Sequence, residues 1–186
     1  MIKTWEELKF FYEKFVYGYC MCSFVDNIFI IGGRYDCFNG KNDVRRSCVV
    51  FDTTTKNWKE VAEMNDYRFN AARTVFEGRV VIFGGANDNG FSRSVEAYDH
   101  VADTWSYMSN MIHGSYDHNL LAVSNKLFAL GCGGNWDICE VYDSISKEFV
   151  VINSHPTFFD GREDQATSIG RNILVFKIFS KKVAIC

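Results

Sequence analysis

The chain has 186 residues, 47% of them hydrophobic and 16% aromatic, with one proline and 14 glycines; this suits one folded domain with a real core and excludes a disordered chain. A formal net charge of -3 gives no footprint for nucleic acid or a membrane surface, and no apolar run approaches membrane-spanning length. Seven cysteines without a framework, a start that lacks a basic-then-apolar leader, and no Asn-x-Ser/Thr acceptor predict reduced thiols and a cytoplasmic location.

In chain order, "TWEELKFFYEKF" at Thr4 to Phe15 admits a short amphipathic helix by periodicity. Trp5-Glu6-Glu7-Leu8 also resembles Trp58-Lys59-Glu60-Val61, which favours a strand and its exit loop. "IFIIGGRYDCFNG" at Ile28 to Gly40 is an apolar strand stopped by Gly32 and Gly33. "VVIFGGANDNG" at Val80 to Gly90 repeats it with Gly84 and Gly85, and "LFALGCGGNWD" at Leu127 to Asp137 repeats it with Gly131 and Cys132. The last run, "NILVFKI" at Asn172 to Ile178, has Lys177 and Ile178 where the glycines stood.

These landmarks form a repeat. Gly32, Gly84 and Gly131 are 52 and 47 residues apart. An aromatic residue followed by Asp recurs as Phe51-Asp52, Tyr98-Asp99 and Tyr142-Asp143. Six residues after each Asp comes a ring, Trp58, Trp105 or Phe149, and three beyond it an apolar residue, Val61, Met108 or Ile152. In the second unit the strands are "ARTVF", "RVVIF", "SVEAY" and "TWSYM", the first two joined by a tight hairpin at Glu77-Gly78. Four antiparallel strands in fewer than 50 residues cannot bury both faces alone, so repeated sheets must stack on one another, and the radial solution is a β-propeller. The paired glycines then let the chain turn sharply beside the adjacent blade. The rings fill the space between blades, and each Asp caps the turn between the last two strands.

Gly-Gly after an apolar strand, then Tyr-Asp, then six residues to Trp, at a period near 50, resembles the kelch repeat. The match is good at Asn27 to Trp58 and Arg79 to Trp105, departs at Cys132 and Phe149, and is degenerate thereafter. The reading is an all-β, kelch-type propeller with about four blades' worth of strands. Residues 1–17 supply the last strand of a preceding blade; 18–64, 65–111 and 112–155 are blades, and 156–186 a partial one. Two arrangements stay open: part of a larger propeller, which is preferred, or a four-bladed ring closed by the Trp5 strand.

The residues offer little chemistry. His100, His113, His118 and His155 fall in or near turns and strand starts, with no Ser-His-Asp arrangement. Cys20 and Cys22 share one strand face but lack zinc spacing, and Gly131-Cys132-Gly133-Gly134 lacks the Lys-Ser/Thr of a phosphate loop. Some kelch-like propellers are copper enzymes, but their two-histidine ligand set is not recognisable here. The expectation is a chain that is not an enzyme, with no metal, no cofactor, no nucleic acid and no membrane partner.

Function in a propeller sits on the loops of one rim. The resemblance implies that the loops after the glycines and those between blades form a protein-binding face. By position it carries over Arg34, Tyr35, Arg68, Asn70 and Asn87. Tyr116 and Trp136, with Phe158 and Phe159, are aromatic candidates for the same face or for blade packing, and Arg68 has a second reading as a turn brace paired with Asp66 or Glu63. The first loop is mildly basic, which reads first as a merely solvated loop and second as a lean toward acidic peptides. The resemblance further implies the substrate-recognition propeller of a BTB-kelch adaptor, presenting proteins to a cullin-RING ubiquitin ligase through a BTB domain that is not in this sequence. The alternative it implies is an actin-binding kelch protein.

Overall fold

The computed structural model describes residues 16–36, 42–115, 119–132, 138–152, 165–169, 171–177 and 182–185. The Trp5 strand, Thr4 to Phe15, and the candidates Tyr116, Trp136, Phe158 and Phe159 lie outside these. The described regular structure is all strand: β1 (Val16–Tyr17), β2 (Cys20–Phe24), β3 (Asn27–Ile31), β4 (Arg34–Asp36), β5 (Asn42–Val44), β6 (Cys48–Asp52), β7 (Asn57–Val61), β8 (Ala72–Phe76), β9 (Arg79–Phe83), β10 (Ala86–Asn87), β11 (Gly90–Phe91), β12 (Val95–Asp99), β13 (Thr104–Tyr107), β14 (Asn119–Val123), β15 (Lys126–Cys132), β16 (Ile138–Asp143), β17 (Glu148–Ile152), β18 (Gln165–Ile169), β19 (Asn172–Lys177) and β20 (Lys182–Ile185).

Three four-stranded antiparallel sheets follow one another: sheet I is β2-β3-β6-β7, sheet II is β8-β9-β12-β13, and sheet III is β14-β15-β16-β17. Sheet IV contains β18-β19-β20. The leading strands β2, β8, β14 and β18 lie side by side in that order, as blades around a common axis require. The rings take equivalent places, because Phe51 pairs with Trp58, Tyr98 with Trp105 and Tyr142 with Phe149 across the last two strands. Their centroids lie 5.0, 5.2 and 5.3 Å apart. The Glu77-Gly78 hairpin forms with φ of 47° and 70°, the left-handed pair that a two-residue turn between twisted strands needs.

Strand alternation sends neighbouring residues to opposite sheet faces, and the core follows that parity. From β9, Val80 and Ile82 join Phe29, Ile31 and Val50 of sheet I, while Val81 and Phe83 join Leu127, Ala129 and Phe149 of sheet III. This is why "VVIF" is a continuous apolar run: both of its faces are covered. Edge-on ring contacts cross the first two seams, Phe29 with Tyr98 at 5.7 Å between sheets I and II and Phe83 with Phe149 at 5.4 Å between II and III. Each turn aspartate caps as its chemistry suggests. Asp52 Oδ1 accepts from Thr54 and Thr55 N–H at 2.8 and 3.0 Å, and Asp99 Oδ1 from Val101 and Ala102 at the same distances. These bonds hold both carboxyls below their ordinary range.

The loops after the glycine pairs are more ordered than the sequence suggests. β4 pairs with β5 and with β1 in a small three-stranded sheet, and β10 pairs with β11. These strands are two or three residues long and carry no apolar alternation, so nothing in the sequence separates them from open loop.

Candidate functional site

The rim is built by hooking each inter-sheet loop onto the glycine turn of the sheet before it. Gly33 N–H donates to Arg68 O and Gly85 N–H to Ser115 O, both at 2.9 Å. Arg68 N–H returns a bond to Arg45 O at 3.1 Å, and Ser115 N–H to Ser92 O at 3.3 Å. The approach is too close for a side chain: a Cβ on Gly32 would lie 2.5 Å from Arg68 O, and one on Gly85 2.7 Å from Phe69 O. Cys132 is tolerated as the second residue of the third turn because β15 runs on through it, with a bulge at Gly131 absorbing the left-handed conformation.

Arg34 stands at the start of the first rim strand. Its guanidinium lies over two rings, 5.1 Å from the centroid of Tyr17 and 5.0 Å from that of Phe69, and its Nε donates to the Tyr17 hydroxyl. Tyr17 ends β1, just ahead of sheet I, and Phe69 lies in the loop between sheets I and II, so one cation ties the two segments together. Tyr35 is half-buried beside Arg34. A second pair stands next to it, Arg46 over Tyr67 at 5.3 Å, with Arg46 also 2.8 Å from Glu63. Tyr67 and Phe91 are about half exposed, and Asn87 reaches Tyr67 O through Nδ2 at 3.4 Å. Asn70 takes a left-handed φ of 51° and donates its N–H to Gly18 O at 2.7 Å. The rim therefore presents arginines and aromatic rings on hydrogen-bonded backbone. Tyr17, Tyr67, Phe69 and Phe91 are additions to the residues read from sequence.

Arg68, expected on the rim as a contact residue, lies buried instead. Its guanidinium donates to Gly84 O at 2.8 Å, to Ser94 O at 3.1 Å and to Ser94 Oγ at 2.8 Å, and pairs with Glu96 and, at 3.4 Å, with Asp66. Only its Nε is buried without a partner among the described residues. The side chain braces the turn, including the Asp66 pair that was one of its two readings. Glu96 is the centre of this network and was not anticipated. Fully buried on β12, it accepts from Asn65 N–H at 2.7 Å, Asn65 Nδ2 at 2.8 Å and Asp66 N–H at 3.1 Å. Glu140 repeats it on sheet III, accepting from the N–H groups of Ile112 and His113 at 2.8 Å and meeting His113 Nδ1 at 2.9 Å. The signal was present: a charge two residues before Tyr-Asp inside apolar strands, "VEAYD" and "CEVYD".

Burial pushes the Cys20 thiol up to about 12 and the Cys22 thiol to about 11, and it also raises Cys48 and Cys132, so these groups stay protonated. Of the histidines, His100 packs edge-on against Phe24 at 5.1 Å and His113 meets Glu140. His118 and His155 lie outside the described residues. Among the described residues no three of His, Cys, Asp and Glu converge as metal ligands would.

Comparison with known proteins agrees with this geometry. The kelch motif matches residues 67–112. The kelch repeat-containing protein kel-10 of Caenorhabditis elegans is 34% identical over 128 residues, covering 64% of this chain and 21% of that protein. Kelch-like protein 36 of Bos taurus is 33% identical over 100 residues, covering 54% of this chain and 16% of its own length. A kelch repeat and BTB domain-containing protein of C. elegans is 33% identical over 128 residues, covering 64% of this chain and 21% of its length. The matched part thus spans about a fifth or less of these relatives. Among solved structures, YjhT superposes with a TM-score of 0.66 at 12% identity, over 87% of this chain and 56% of that one, a likeness of fold. The chain carries a kelch motif at residues 67–112, its sheets stack as in a kelch β-propeller, and it is similar to kelch-like and to kelch repeat and BTB domain-containing proteins.

Proposed function

We propose that this chain is a non-catalytic protein-recognition module whose rim, formed by the loops after the glycine turns and between the sheets, binds a protein or peptide. The observation that carries the reading is the cluster of arginines and aromatic rings, Arg34, Tyr17, Phe69, Arg46 and Tyr67, set on backbone already fixed by inter-sheet hydrogen bonds. Aromatic rings lose little entropy on contact, and aromatic and Arg side chains are enriched at the hot spots of protein interfaces. The similarity to BTB-kelch proteins extends the proposal: in the cytoplasm, the module selects substrates for a cullin-RING ubiquitin ligase that an associated BTB domain recruits.

The test is affinity capture with mass spectrometry, using the chain together with any BTB domain its gene encodes upstream. The reading expects a cullin and a set of client proteins. The clients should disappear, while the cullin stays, in a Tyr67→Ala, Phe91→Ala variant that keeps its melting temperature. Clients that persist in that variant move the binding face elsewhere. F-actin co-sedimentation that resists salt, without a cullin, would replace the adaptor reading with the cytoskeletal one.

A further inference from the structure

Two of the described seams, between sheets I and II and between II and III, carry the same loop with different chemistry. Loop 62–71 lies over the seam between sheets I and II, and loop 108–115 over that between II and III. Their backbone bonds correspond: Met64 N–H to Arg46 O and Met111 N–H to Arg93 O, both 2.9 Å. This register equates Ala62 with Ser109, Asp66 with His113 and Arg68 with Ser115. On the sheets the strand pairing equates Glu96 with Glu140, Asp103 with Lys147 and Trp105 with Phe149.

At the first seam, Asp103 Oδ1 accepts from Ala62 N–H at 2.8 Å and Trp105 Nε1 donates to Ala62 O at 2.9 Å, so both main-chain polar groups of one residue are clamped to sheet II. Arg68 adds a buried cation that reaches Glu96, Gly84 and Ser94. At the second seam each of these groups is replaced by one that cannot do the same work. Lys147 has no acceptor, Phe149 has no N–H, and Ser115 offers a hydroxyl that reaches Gly131 O at 3.3 Å. Ser109 Oγ, at the position of the clamped Ala62, is buried without a partner among the described residues. What holds loop 108–115 to sheet III in common with the first seam is the carboxylate: Glu140 on Ile112 and His113.

From this substitution pattern we infer that the seam between sheets II and III is the yielding joint of the array. Loop 108–115 unlatches from Glu140 in a local opening that leaves both flanking sheets folded. The loop also supports part of the rim. Gly114 lies against Phe91 O, where a Cβ would come within 2.7 Å, and Arg93 donates to Ile112 O at 3.1 Å. The opening therefore shifts the support of the β10–β11 hairpin and makes this part of the rim adaptable, whereas the Tyr17–Arg34–Phe69 side stays fixed. The inference is independent of what the rim binds.

Native-state hydrogen exchange on the full chain tests it, because the seams supply matched amides. Asn65 and Asp66 donate to Glu96, and Ile112 and His113 donate to Glu140, over similar distances. After correction for intrinsic rates, Ile112 and His113 should exchange at least about tenfold faster than Asn65 and Asp66, while hydrogen-bonded amides of β15 and β16 keep the slower rate. Equal protection at the two seams overturns the inference, and so does fast exchange throughout β15 and β16, which would report unfolding of sheet III as a whole. Joint replacement Lys147→Asp and Phe149→Trp restores the clamp facing Ser109 and should slow Ile112 and His113 at least about threefold. A folded double variant with unchanged exchange also overturns it.

Discussion

Arg68 shows why residue identity and position do not settle what a side chain does. Its place between two turns suggests a rim contact, yet Glu96 and Ser94, 28 and 26 residues further along, draw it inward. Removing one member of such a buried pair leaves the other charge stranded. Arg68→Ala should destabilise the chain by about 3–5 kcal/mol, read from urea unfolding. The glycines divide by the same logic. Gly78 and Gly85 both have positive φ, but a Cβ at Gly78 meets nothing within 4 Å, whereas at Gly85 it meets Phe69 O at 2.7 Å. Gly78→Ala should cost about 1 kcal/mol, from backbone strain alone. Gly85→Ala should cost clearly more, and the difference between the two midpoints measures the clash. Asp103 supplies a pH dependence. The N–H of Ala62 and the hydroxyl of Tyr98 hold its carboxyl below the ordinary range. A lowered folded pKa contributes stability above the unfolded value, near 4, that is lost as pH falls through the folded value. The melting temperature should therefore fall below about pH 4, and Asp103→Asn should flatten part of that fall.

At the scale of the element, β9 is the informative strand. Its four apolar residues serve two cores, so truncation at either parity opens a cavity at a different seam. Phe83→Ala should cost about 3–5 kcal/mol, measured by calorimetry or denaturant. How much was legible in the sequence follows from where each element takes its order. The sheets were legible because their order is local: a strand ended by glycines, an aspartate capping its own turn, and a ring six residues later facing its partner across one hairpin. The small strands β4, β5, β10 and β11 were not. Main-chain pairing fixes them, and main-chain pairing leaves no pattern in side chains. Glu96 and Glu140 were missed for a related reason. The partners they have in common are backbone amides on a preceding loop, which any sequence can offer, and only the repeated charge inside "VEAYD" and "CEVYD" could have pointed to them.

For the whole molecule, apolar burial and the proposed recognition face occupy different places. Apolar area is concentrated between sheets, whereas Tyr67 and Phe91 stand half exposed on the rim. Rim substitutions should therefore weaken binding without unfolding the chain. Tyr67→Ala combined with Phe91→Ala should lower affinity for a captured client by at least about tenfold, read by calorimetric titration, with little change in thermal midpoint.

The double burial of β9 has one more consequence. Val80 and Val81 are both 0% exposed, one leaning on the preceding sheet and the other on the following sheet. A ribosome that has released only residues up to the end of β13 has made a sheet with one greasy side still bare. Until the next fifty or so residues emerge, that intermediate needs a chaperone or risks sticking to its neighbours.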